Sequence, residues 1–157
     1  MKHIIVQSIS SIILYILMAF AIVSFASGVT QSMASFEAGV FKLEFNFLPF
    51  LLLIIFFIVW TVYSFQTRPN QKMSFGQWSV RMTEFSEVDE REALITAKAT
   101  KAAYVSFNIS VPLFMLTFFF YPVFQESWPT YPVFALASTL VIATLVYMTT
   151  WIRAYRQ

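Results

Sequence analysis

The sequence predicts an all-α integral membrane protein: four transmembrane helices in two hairpins, both termini inside, with a cytoplasmic helical loop between spans two and three. Three observations carry this. Of 157 residues, 59% are apolar and 11% charged, whereas soluble domains run near 45–50% and about 25%. Four long apolar segments contain no Asp, Glu, Lys or Arg. Charge is gathered instead into the stretch 86–101, which reads SEVDEREALITAKATK. A chain of this length cannot bury so much apolar surface in a core of its own, so lipid must cover the rest. One membrane domain spanning 1–157 is expected.

Span one is read at about 4–25, close to the ~20 residues that cross ~30 Å of hydrocarbon. Lys2 and His3 before it, and Ser24-Phe25-Ala26 at its end, also resemble a secretory signal. Signal cores are shorter, about 7–15 residues, so a retained anchor is favoured. Residues 26–48 follow as an outer loop. Within it Phe41, Leu43, Phe45 and Phe47 alternate with Lys42, Glu44 and Asn46, a period of two that suggests an extended segment with one apolar face. A membrane-surface role is the plainer reading of that face; docking of a peptide at Phe41, Leu43 and Phe45 is the sharper one.

Span two is placed at about 49–65. Pro49 suits a first helical turn, and Trp60 and Tyr63 suit an interface. Span three is placed at about 104–121, with a kink expected at Pro112 and with Asn108 and Ser110 on the same turn to satisfy freed carbonyls. An outer loop 122–132 leads to span four at about 133–151. Tyr121-Pro122-Val123-Phe124 recurs as Tyr131-Pro132-Val133-Phe134, read as one motif closing span three and the other opening span four.

Orientation follows from the basic residues. Lys2, the loop 66–103 and the C-terminal arginines hold nine of the ten Lys and Arg, leaving Lys42 opposite. Positive charge stays inside, so the termini and central loop are cytoplasmic and the protein is a multi-pass plasma-membrane protein. Small residues at intervals of four mark the packing faces. Ala102, Ser106 and Ser110 on span three are expected to meet Ala135, Thr139 and Ala143 on span four.

The central loop divides by charge. Phe75, Trp78, Met82 and Phe85 are spaced as an interfacial helix requires, though Trp78, Val80 and Met82 would equally fit a strand. Beyond them Ser86 with Asp89 has the form of a capping box, acids precede lysines, and Glu87 pairs with Arg91 at i, i+4. No helix breaker separates Ala93 from Tyr104, so this helix should run on into span three and hold its acidic end clear of the headgroups. Val88, Ile95 and Ala102 form a thin apolar line along it.

Chemistry has little to work with. There is no Cys, and the one His is His3, so thiolate sites, His-based metal sites and a Ser-His couple are not assembled. Asp89, Glu90 and Glu92 point apart on a helix, which favours a solvated, dipole-matched helix start over a divalent-ion site. No enzyme activity, cofactor or metal is expected. A net charge of +2 without a basic groove argues against nucleic acid. Spans free of ionisable residues argue against an autonomous carrier.

The run Asp89-Glu90-Arg91-Glu92, followed by Ile95, Lys98-Ala99 and then an apolar segment, resembles an uncharacterised family of small four-span prokaryotic membrane proteins that carry an Asp-Glu-Arg segment before the third span. The resemblance covers about residues 86–104 and the four-span layout. It implies a sensory or regulatory role, since such proteins are often encoded beside helix-turn-helix regulators. The leading expectation is therefore a non-enzymatic membrane protein that engages a cytoplasmic protein through Asp89, Glu90, Arg91 and Glu92. An immunity or self-protection protein meeting a peptide at its outer face and an accessory transporter subunit are the alternatives, and a second copy of the chain, as a homo-oligomer, is counted among the partners.

Overall fold

A computed structural model describes residues 2–37, 39, 46–67, 74–76 and 89–157. Every regular element among them is helical: α1 (Lys2–Glu37), α2 (Leu48–Gln66), α3 (Glu90–Thr117), the one-turn α4 (Tyr121–Phe124) and α5 (Tyr131–Arg156). Three of these, α1, α2 and α5, are long and apolar enough to cross a membrane. The segment expected as span three lies in α3, whose first half carries Glu90, Arg91, Glu92, Lys98 and Lys101 and whose apolar half is interrupted by Asn108.

Helix α1 does not end near Phe25, and the stretch 26–37 is helix rather than loop. The hydroxyls there removed the obstacle themselves. Ser27, Thr30, Ser32 and Ser35 each donate to a carbonyl three or four residues earlier, at 2.8–3.0 Å, so polar side chains add bonds to the helix instead of competing with it. The stop comes at Gly39, whose φ of +75° is open to glycine without the Cβ penalty, and whose N–H donates to the Phe36 carbonyl.

Helix α2 starts after Asn46, whose side-chain oxygen accepts the Leu48 N–H at 3.1 Å. It returns antiparallel along α1: Phe25 meets Phe50 at 6.4 Å at one end, and Ser64 meets Gln7 at the other. Helix α5 lies antiparallel on another side of α1, with Phe20 and Phe134 edge to face at 5.5 Å. Helix α3 packs antiparallel on α5. The main contacts thus order the helices α2, α1, α5, α3. Ser24 on α1 donates to the Asn46 carbonyl, so α1 from Ser24 to Glu37 continues past the start of α2 by on the order of 20 Å.

Pro112 sits inside α3 and the helix passes through it. Nearby, Asn108 donates to the Tyr104 carbonyl and Ser110 to that of Phe107. α3 ends at Thr117, short of the expected Tyr121. Both copies of the Tyr-Pro-Val-Phe motif open helices, the first the single turn α4 and the second α5. Proline in the first turn gives up an N–H that has no partner there anyway, which explains why neither copy closes a helix. Tyr131 is the hub of this end: Phe118, Tyr121, Phe124 and Trp128 all lie with ring centroids 5.2–6.2 Å from it.

The buried core sits at the opposite end, where Ile4, Ile95, Ala99, Tyr147 and Trp151 cluster with Ala103 and Ala154 beside them. Trp151, at the expected end of span four, is fully buried.

Candidate functional site

The expected site begins with Asp89, whose backbone at φ −136° and ψ 148° places it as the N-cap of α3. The N-cap is therefore three positions after Ser86, which lies outside the described residues along with Glu87 and Val88. Asp is a favoured residue at this boundary because its side-chain oxygen can accept a backbone N–H of the first turn. Its side chain makes no capping bond here. Asp89, Glu90 and Arg91 are exposed and Glu92 is half-buried. No group of three or more His, Cys, Asp or Glu among the described residues is placed to hold a metal ion.

Arg91 is tied to α5. Its Nη2 donates to the Tyr155 carbonyl at 3.3 Å, and its Cζ lies 5.7 Å from the centre of the Tyr155 ring. That ring stacks on Trp151 at 5.0 Å and 16°. Trp151 Nε1 then donates back across to Thr96 Oγ1 on α3 at 3.3 Å. Four residues thus close a circuit between the start of α3 and the end of α5. The acidic end does not project alone below the bundle, because α5 runs beside it to Arg156. Acids in the first turn of α3 face the helix's positive pole, and Arg153 and Arg156 in the last turn of α5 meet the negative pole of theirs.

Of the apolar line along α3, Ile95 is buried in the core and Ala102 is half-buried. On the α3 stripe Ser106 is half-buried and Ser110 buried; on the α5 stripe Ala135 and Thr139 are buried and Ala143 half-buried. The hydroxyls of Ser106, Ser110 and Thr139 are spent within their own helices, on Ala103, Phe107 and Leu136 carbonyls. They therefore allow close approach without forming a polar site. An open, apolar depression lies on the far half of α3, lined by Pro112, Met115, Leu116, Phe118 and Phe119. It offers nothing to orient a polar ligand.

The outer-face candidates Phe41, Leu43 and Phe45 lie outside the described residues, as does most of the 75–85 stripe. Phe75 is described, and packs edge to face on Phe65 at 5.5 Å.

A polar stripe on α1 was missed by sequence reasoning. Gln7, Ser8 and Ser11 are all buried, and the Ser64 hydroxyl of α2, also buried, donates to Gln7 Oε1 at 3.4 Å. The signal was available. Positions 7, 8 and 11 share one helical face in a segment otherwise nearly all apolar.

Comparison with known protein families returns no match. The chain is 29% identical over 140 residues to an uncharacterised lipoprotein, YgaO, of Bacillus subtilis (strain 168), a match covering 87% of this chain and 85% of the relative. No solved structure matches. With three helices apolar enough to cross a bilayer, the likeness indicates membrane association.

Proposed function

We propose that this is a non-enzymatic, four-span membrane protein of the prokaryotic plasma membrane that engages a cytoplasmic protein through the acidic start of α3. Helices α1, α2 and α5 supply three spans and the apolar half of α3 the fourth. The basic residues at the termini and in the loop 66–103 put both termini inside.

The observation that carries the reading is the tie of Arg91 to Tyr155. It fixes the first turn of α3 to the end of α5, which presents Asp89 and Glu90 to solvent on a supported surface instead of a fraying helix end. Pre-ordering of this kind lowers the entropic cost of docking. A photocrosslinking residue at Glu90, set against one at lipid-facing Ile58, tests it in native membranes. A cytoplasmic protein captured at Glu90 and lost in a Asp89→Asn/Glu90→Gln/Glu92→Gln variant supports the reading. Identical capture patterns at the two positions would refute it.

One observation favours a second reading, recognition of a peptide at the outer face. The far part of α1 runs beyond the start of α2 and leaves Met33 and Phe36 exposed at 65% and 71%. Under this reading, changes at Phe36, Phe41, Leu43 and Phe45 impair function while the acidic substitutions do not.

A further inference from the structure

Hydroxyls on apolar helices are normally satisfied one turn back, as those of Thr30, Ser32, Thr144 and Thr149 are here. The contact between α1 and α2 near its Gln7–Ser64 end departs from that habit. On α2, Trp60 Nε1 and Thr61 Oγ1, on the turn before Ser64, are buried and have no hydrogen-bond partner. Ser64 itself is fully buried and donates to Gln7 Oε1 on α1 at 3.4 Å, a long bond. Each buried orphan costs on the order of 1–3 kcal/mol, and inside a bilayer no lipid tail can relieve it. Proteins resolve such a set with internal water, which makes about three hydrogen bonds to groups of this kind.

We infer that the contact between α1 and α2 opens at this end to admit water, forming a hydrated polar crevice bounded by Gln7, Trp60, Thr61 and Ser64. The donor set selects the occupant. The hydroxyls of Thr61 and Ser64 both donate and accept, the indole of Trp60 only donates, and none of these side chains carries a formal charge. A cation would meet the indole N–H, and an acyl chain would leave every orphan unpaired. Water satisfies both kinds of group. Helix α2 is suited to such opening, because Ser64 is its one buried residue. The crevice faces the cytoplasm only if the proposed topology holds, and the experiment separates the two claims.

The chain has no native Cys, so Ser64→Cys, Thr61→Cys and the lipid-facing Ile58→Cys can each be made singly in the full protein. Each is then exposed to a charged, membrane-impermeant thiol reagent in inside-out and right-side-out vesicles. Ser64→Cys and Thr61→Cys are expected to react in inside-out vesicles on the order of tenfold or more faster than Ile58→Cys. Equal, slow reaction of all three in both preparations overturns the crevice. Fast reaction in right-side-out vesicles alone leaves the crevice standing and overturns its cytoplasmic placement. Because serine-to-cysteine exchange barely changes volume, failure to fold is checked by the intrinsic fluorescence of the tryptophans in each variant.

Discussion

The indole N–H of Trp151 donates to the hydroxyl of Thr96 at 3.3 Å across the interface of α3 and α5, with both residues buried. It is a tertiary hydrogen bond between two helices whose neighbouring hydroxyls are mostly turned onto their own backbones. That makes it the polar fastening of the packed core formed by Ile4, Ile95, Ala99 and Tyr147. Trp151→Phe removes the donor and is expected to cost about 0.5–1.5 kcal/mol. Trp151→Ala also empties the core and is expected to cost about 3–5 kcal/mol. Reversible unfolding in detergent micelles measures both, and no loss for Trp151→Phe would mean that the hydrogen bond contributes nothing.

Arg91 reaches the carbonyl of Tyr155 and lies over its ring. The phenol hydroxyl takes no part in either contact. Tyr155→Phe is therefore expected to leave stability unchanged, and Tyr155→Ala to lose about 0.5–1 kcal/mol of cation–π attraction along with the stack on Trp151. A double-mutant cycle with Arg91→Ala isolates the pair. A coupling of zero would show that the ring contact contributes nothing, leaving the bond to the Tyr155 carbonyl as the tie to α5.

At the other end of α5, Tyr131 gathers four rings and its hydroxyl meets that of Thr117. Tyr131→Phe keeps the rings and gives up one hydrogen bond, a loss of about 1 kcal/mol. Tyr131→Ala gives up the ring pairs as well, each about 0.5–1.5 kcal/mol. Proteolysis of the connection 118–130 in micelles should rise sharply for the alanine variant and little for phenylalanine. Similar rates in both would show that the rings do not order the connection.

The proposed topology is checked with single cysteines at Ser35, Ser127 and Asp89. Impermeant reagent applied to intact cells is expected to label the first two and spare the third. The opposite pattern inverts the protein.

Long apolar runs were legible in the sequence because periodicity was not needed to see them: α2 and α5 each begin and end within a few residues of the expected 49–65 and 133–151. The end of α1 was not legible. Ser27, Thr30, Ser32 and Ser35 signal a loop when counted by type, and support a helix when each hydroxyl finds a carbonyl one turn back. The charge order of α3 was readable from 86–101, whereas the anchoring of Arg91 was not, since Tyr155 is 64 positions away. A contact at that distance along the chain depends on helix register, and apolar stripes that are apolar on every side leave register unspecified. The polar stripe Gln7, Ser8, Ser11 could have supplied it.

Helix α1 begins in the packed cluster at Ile4 and ends at Glu37, past the neighbour that flanks it. An unbroken helix of 36 residues behaves as a stiff rod about 54 Å long. Because one end is clamped among Tyr147 and Trp151, a sideways load on the far end acts as torque on the joint that also seats the first turns of α3. The protein thus has, in a single secondary-structure element, a lever arm linking its two ends.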